Sequence, residues 1–557
     1  MTMRQTEVRQ SLLQESTGSI GTGGEAVSPG KARRLKWNIL IPAGFAACTL
    51  LMMAELAQAA DAPAAYKEHC AACHGESRLG GLGPALLPEN LARLRKPEAE
   101  KVIRDGRPAT QMQGFGDKLA ADEIKALVDY AYTPIKPMPA WGEKEISASR
   151  IVHEKQPLPD KPVFKADPLN LFVVVESGDH HVSILDGDKL EPIHRFQSRY
   201  ALHGGPKFTP DGRYVFFASR DGWVTKFDLW NLKVVAEVRA GINTRNAAVS
   251  GDGKWVAVAN YLPHSLVILD ADLNLQKILP VTDKDGKTSS RVSAVYDASP
   301  RQSFVAALKD VKEVWEVSYN PKADDIPTGM IHDFKYREGS FMPGFLNPRR
   351  TQLDDYLDDF YFTQGYDEVM GASRNDSKSA VSGQVVNLDA RKKIADLQLP
   401  GMPHLGSGIS WKWQGRTVMA TPNLNEGVIS IIDMATWQTV KQIKTRGPGF
   451  FMRSHENSRY AWTDSMMSKE FKDTMQIIDK ETLEIAAELK PEPGKTFAHV
   501  EFTKDGKYVL ASLWEMDGAL IIYDAVTLKE VKRLPMKKPV GKYNVWNKIS
   551  KSEGTSH

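Results

Sequence analysis

The stretch Asp211-Gly212-Arg213-Tyr214-Val215-Phe216-Phe217-Ala218, running on to Phe227-Asp228, decides how this chain is built. Asp followed by Gly marks a tight turn, and the apolar run after it reads as a short strand. The same turn returns at Asp252-Gly253-Lys254-Trp255, Gln414-Gly415-Arg416 and Asp505-Gly506-Lys507-Tyr508, with Asn457-Ser458-Arg459-Tyr460 as a variant. Each is read as opening the inner strand of a repeat. A second mark, two apolar residues, any residue and Asp, closes a strand at Asp186, Asp228, Asp270, Asp389, Asp433, Asp479 and Asp524. Most spacings between these marks are 42 to 46 residues, the size of a four-stranded unit. The gap of 119 from Asp270 to Asp389 has room for one more unit, with residues 313–319 as a strand, and an insertion around 324–375. Each small sheet has an apolar face that it cannot bury alone. Eight such units therefore predict an all-β, eight-bladed propeller over residues 166–547. Closure is expected where residues 171–174 and 543–546 share a blade; six or seven blades stay open because the middle is irregular.

Composition is that of an ordinary globular protein. The chain has 557 residues, 42% apolar and 25% charged, with 72 basic against 69 acidic side chains and a mean hydropathy of −0.36. Collagen, a mostly disordered chain and a multi-span membrane protein are excluded. The near-balanced charge argues for no nucleic-acid partner. Three cysteines leave no disulfide framework.

Residues 1–30 are polar and aperiodic and read as disordered. Arg33, Arg34 and Lys36 then precede an apolar run over 37–54 and Ala57-Gln58-Ala59. That is the pattern of a secretory signal peptide cleaved near Ala59, so 1–59 is read as leader and the protein as periplasmic; an uncleaved membrane anchor is the alternative.

Next comes Cys70-Ala71-Ala72-Cys73-His74. Two thiols at this spacing can bind the two vinyl groups of one haem c, with His74 as an iron ligand. A zinc hook would need further ligands, and there is no second cysteine pair. Met112, on a loop ahead of an amphipathic helix over 120–131 (Ile124, Leu127, Val128, Ala131), is the candidate sixth ligand. Residues 60–135 thus read as a small all-α class I cytochrome c domain, 136–165 as a proline-marked linker and 548–557 as a C-terminal tail.

A cytochrome c domain ahead of an eight-bladed propeller resembles cytochrome cd1 nitrite reductase and its paralogues. The resemblance is carried by Tyr200-Ala201-Leu202-His203, Ser219-Arg220-Asp221, Gly241-Ile242-Asn243-Thr244-Arg245, Asn260-Tyr261-Leu262-Pro263, Gly401-Met402-Pro403-His404 and Gly541-Lys542-Tyr543-Asn544-Val545. It implies a noncovalent haem d1-type tetrapyrrole in the propeller, with His203 on its iron, Arg220 and Arg245 on its carboxylates and Tyr261 in the pocket. It also implies His404 on the distal side.

Departures from the reductase pattern point to a different branch. The position matching a second distal histidine is Lys309, and Ser177 and Ser407 stand where the reductase has arginines. Nitrite reduction consumes protons, and one histidine with a lysine is a weaker donor pair than two histidines. The pattern is closest to the branch that oxidises dihydro-haem d1 to haem d1 by turning a propionate side chain into an acrylate. The resemblance therefore implies an oxidoreductase with His404 and Lys309 as catalytic residues, passing electrons through its haem c. A nitrite reductase and a haem d1 carrier are the alternatives. Expected partners are the tetrapyrrole, a small c-type cytochrome as electron acceptor and a nitrite reductase that receives haem d1; the protein itself is expected to be a monomer.

Overall fold

The computed structural model describes residues 61–81, 83–92, 94–106, 112–333, 335, 338–372, 383–551 and 553–554. The expected leader, 1–59, lies outside them.

Among the described residues, strands form eight blades. The first blade pairs Leu171–Glu176 with Pro539–Asn544 on one side and with His181–Asp186 on the other, and Glu191–Gln197 completes it. The two ends of the propeller segment therefore meet in one sheet, as expected, with Phe172 opposite Asn544 and Val173 opposite Tyr543, although Val545 and Trp546, expected in that strand, open a helix instead.

Why the ring closes is visible in strand Leu171–Glu176. Side chains alternate between its faces. Leu171, Val173 and Val175 pack on Val215, Phe217 and Phe227 of the second blade. Phe172 and Val174 pack on Leu510, Leu520 and Ile522 of the eighth. Similar clusters fill every other blade-to-blade junction. Burial of both faces of every sheet is the driving term, at about 25 cal/mol per Å² of apolar surface.

Within a blade, the first strand is buried at a sheet edge, as in Phe497–Phe502, and so faces the axis. The fourth is half exposed, as in Glu484–Leu489, and forms the rim. The Asp-Gly turns accordingly lead into the second strand rather than the innermost one: Tyr214–Ala218 lies between Lys207–Phe208 and Trp223–Asp228. The closing Asp marks end third strands for a local reason. Asp228 Oδ1 accepts the N–H groups of Trp230 and Asn231 at 2.9 and 3.1 Å, holding the turn to the rim. In the fifth blade that job falls to Asn387, which accepts from Asp389 and Ala390, so the strand ends two residues before the expected Asp389. The insertion is also shorter than expected. It is the hairpin Ile326–Asp333/Glu338–Met342, after which Pro348–Gln352 and Asp359–Phe362 resume the blades.

The N-terminal domain is helical: α1 (Ala62–His69), α2 (Ala71–His74), α3 (Pro88–Leu91), α4 (Lys96–Asp105) and α5 (Ala121–Ala131). Helix α5 buries Ile124, Leu127, Val128 and Ala131, the stripe read from its periodicity. Residues 136–165, expected as a plain linker, carry α6 (Glu143–Ser149) and a short strand, Ile151–Val152, paired to the rim strand Lys233–Arg239. That pairing satisfies backbone groups an edge would otherwise leave to solvent. The tail is ordered as well. After α7 (Val545–Ile549), Lys551 Nζ reaches Ser299 Oγ at 2.8 Å, and Gly554 bonds to Ser410 and Ser454. It therefore crosses the propeller face that carries the Asp-Gly turns.

Candidate haem sites

Helix α2 is a single turn that places Cys70, Cys73 and His74 at its start and end. His74 Nδ1 donates to the Pro84 carbonyl at 2.8 Å, which leaves Nε2 with the lone pair an iron needs. Burial lowers the pKa of His74, against the pull of the Pro84 bond, and keeps the ring neutral. Gly83 lies flat against this ring: a Cβ there would sit 2.8 Å from Cε1. Met112 packs against the cluster of Tyr66, Ala71 and Phe115 that Cys70 also touches. Two thiols, a neutral imidazole with a committed tautomer and a thioether in one small core fit a covalent haem c.

The second site is built on loops at the other face from the tail, where innermost strands begin and second strands turn into third ones. His203 precedes Lys207–Phe208; its Nδ1 donates to the Arg245 carbonyl at 2.7 Å, so Nε2 again carries the lone pair. Arg220 Nη2 lies 3.0 Å from that Nε2, and Arg245 Nη1 lies 3.0 Å from both ring nitrogens. Gly204, at φ +83°, lets the chain after His203 press on the neighbouring blade: a Cβ would sit 2.4 Å from Asn246 Cβ. Tyr261 presents its ring to Arg220 at 5.9 Å and to Arg291 at 5.4 Å. Burial pulls the pKa of Arg245 down, but Tyr261, Asp359, Tyr296 and Asp358 pull it up, and the net shift is upward. Two guanidiniums and a phenol around one imidazole match the donor set a carboxylate-bearing iron tetrapyrrole requires.

His404 is buried at the start of a turn before the sixth blade, with Nδ1 donating to Phe450 O at 2.8 Å and its ring edge-on to Phe450. Lys309 forms an ion pair with Asp358 at 2.5 Å, and Asp358 acts electrostatically on Arg245. The structure thus gathers His203, Arg220, Arg245 and Tyr261 directly, and ties Lys309 to them through Asp358. His404 joins through the turn it starts, since Gly406 lies against the Asp359 carboxylate, which also acts on Arg245.

Sequence reasoning missed a layer beneath. His499, on the innermost strand of the eighth blade, is buried with both ring nitrogens lacking a protein partner. It stacks edge-on with Phe451 and Tyr543, and Phe451 contacts the Phe450 that touches His404. His499 is thus a second buried histidine behind His404, linked to it through Phe450 and Phe451. Burial first, then the charges of Lys542, Arg453 and Lys548, hold the pKa of His499 well below the ordinary histidine value. Lys207 is pushed down to about 8 and Lys548 to about 7, chiefly by burial. The available signal was charge on innermost strands, such as Arg453, Glu501 and Lys542, where an apolar residue would suffice for packing.

Residues 166–548 match the family described as cytochrome D1 heme domain, and residues 57–130 match cytochrome C oxidase, cbb3-type, subunit III. The chain belongs to the cytochrome D1 heme domain family. It is 57% identical over 511 residues to dihydro-heme d1 dehydrogenase of Pseudomonas aeruginosa, covering 91% of this chain and 98% of that protein. A solved structure, dihydro-heme d1 dehydrogenase NirN in complex with DHE, superposes with a TM-score of 0.80 at 57% identity, over 87% of this chain and 99% of that one. Nitrite reductase of Stutzerimonas stutzeri is 26% identical over 541 residues, covering 87% of this chain and 92% of that protein. Membership of this family, with its cytochrome c-type domain, makes the protein a carrier of haem c and a binder of a d1-type tetrapyrrole. No helix among the described residues is long and apolar enough to cross a membrane.

Proposed function

We propose that this chain is an oxidoreductase that converts dihydro-haem d1 to haem d1. The observation that carries this reading is the 57% match, domain for domain, to a dihydro-heme d1 dehydrogenase over nearly all of both chains. The nitrite reductase relative stands at 26%.

Turning a CH2–CH2 unit into CH=CH releases two protons and two electrons. His203 holds the substrate through Nε2, and Arg220 and Arg245 hold its carboxylates in charge-assisted pairs. Because the Phe450 carbonyl can only accept, the proton of His404 stays on Nδ1, and Nε2 is the basic nitrogen that takes a proton from the side chain being oxidised. Lys309, tied by Asp358, keeps a fixed positive charge beside the pocket. Cys70, Cys73, His74 and Met112 would hold the haem c, which would supply a one-electron acceptor. Two one-electron transfers to an outside carrier, such as a small c-type cytochrome, complete a turnover. The basic and apolar run within residues 1–59 supports export to the periplasm, where a nitrite reductase could receive the product.

The test is anaerobic incubation of the full chain with dihydro-haem d1 while its absorption spectrum is followed. Conversion to haem d1 with reduction of haem c is expected, and His404→Ala should retain binding while slowing conversion about 100-fold or more. Binding without any spectral change would make the protein a carrier instead. Nitric oxide turnover from nitrite on the product haem would make it a reductase.

A further inference from the structure

Arg239 ends the rim strand of the second blade, yet it is 6% exposed. Its Nε donates to the Asp221 carbonyl at 2.8 Å, and its Nη2 donates to the Leu79 carbonyl in the cytochrome domain. The guanidinium carbon lies 4.6 Å from the centre of the Trp141 ring, and the Trp141 indole N–H donates to the Arg239 carbonyl at 2.8 Å.

Each carbonyl belongs to a haem site. Asp221 follows Arg220, whose Nη2 lies 3.0 Å from His203 Nε2. Leu79 precedes Gly80, whose N–H donates to the His74 carbonyl at 2.9 Å. One planar group thus spans from the loop beside His203 to the loop that closes on His74. Around it Ala85 and Leu87 of the cytochrome domain pack on Ile242 and Leu262 of the propeller, keeping water out. Those apolar contacts hold the domains together but set no register, because dispersion contacts are weakly directional. A planar fork with two donors on two carbonyls sets it, because it fixes both directions at once, which the single rotating ammonium of a lysine does not.

We propose that Arg239 is a positioning residue that sets the haem c loop against the tetrapyrrole pocket, and thereby the rate at which electrons pass between them. This rests on the function proposed above. The electron lost by the tetrapyrrole is the one gained by the haem c iron; Arg239 itself is neither oxidised nor reduced.

The test uses the full chain with haem c attached. Arg239→Met keeps the aliphatic stem against Trp141 and removes both donors. After anaerobic mixing with dihydro-haem d1, haem c reduction should be about 100-fold slower, the size expected for a misplaced reacting group. Tetrapyrrole binding and haem c reduction by ascorbate should match wild type, while amide exchange in the peptide over 79–87 should speed up. Should the Met variant fail to fold or load haem, Arg239→Lys carries the test, with slower transfer and faster exchange expected again. Wild-type transfer in a folded variant overturns the proposal, as does slow transfer with unchanged exchange protection. If wild type itself fails to convert the precursor, the function reading falls, and the exchange result still decides whether Arg239 holds the loop.

Discussion

Asp464→Asn is the most informative single change, because one carboxylate organises the wall that holds both histidines. Asp464 is 1% exposed. Its Oδ1 accepts the N–H groups of Phe450 and Met466 at 2.8 and 3.4 Å, and its Oδ2 those of Phe451 and His499 at 3.2 and 3.4 Å. Burial raises its pKa from 3.8 to about 6, against the pull of those bonds. At 1.4 kcal/mol per unit, the ionised form in the fold is disfavoured by about 3 kcal/mol. The native protein takes up this proton near the raised value, and the unfolded chain only near the ordinary one. Stability from this group is therefore full below the ordinary value and lost as pH rises through about 6. Asparagine does not titrate. In urea unfolding followed by tryptophan fluorescence, wild type should gain about 2.5 kcal/mol on Asp464→Asn between about pH 7.5 and about pH 4. Groups common to both proteins cancel in that difference.

At neutral pH the two effects of the substitution oppose each other. Asparagine escapes the desolvation of a charge but turns its NH2 toward the N–H groups of Phe451 and His499, at about 1–3 kcal/mol for each bond lost. The net change there should be small, while activity should fall, since the Phe450 carbonyl that orients His404 sits on the displaced turn. Parallel stability curves across the whole pH range would refute the reasoning.

Three further changes test the ring and the pocket. Phe172→Ala opens the seam between the first and eighth blades and should lower unfolding stability by about 3–5 kcal/mol, whereas Val526→Ala, on a residue 79% exposed, should leave the urea midpoint in place. Arg245→Leu keeps the backbone carbonyl that His203 Nδ1 bonds, so the iron–imidazole spectrum of the bound tetrapyrrole should persist. Its affinity in an absorbance titration should still drop about 10- to 100-fold for the lost charged pair, and unchanged affinity would remove Arg245 from the carboxylate set.

The repeat was legible because its signals are local. An Asp-Gly turn and a strand-end Asp act on backbone groups two to four residues away, so they survive in the sequence as fixed spacings, and the blade count came through an irregular middle. The same locality misled at Asp389, where an Asn two residues earlier does the work. The candidate covalent haem site was legible for a similar reason: Cys70, Cys73 and His74 are neighbours in the chain. The candidate tetrapyrrole residues came from resemblance, since an isolated Arg after a strand carries no signal of its own.

By itself, then, the sequence determined the propeller, the candidate motif for haem c attachment and the meeting of the two ends of the propeller segment in one sheet, all consequences of contacts short in sequence or of alternation along a strand. Only the tertiary structure decided that Arg220 and Arg245 converge on His203, that His499 joins His404 across Phe450 and Phe451, and that Arg239 reaches the Leu79 carbonyl. Those contacts join residues on different blades or in different domains. Ring closure brings them together, and no periodicity along the chain records which side chains will face the same axis.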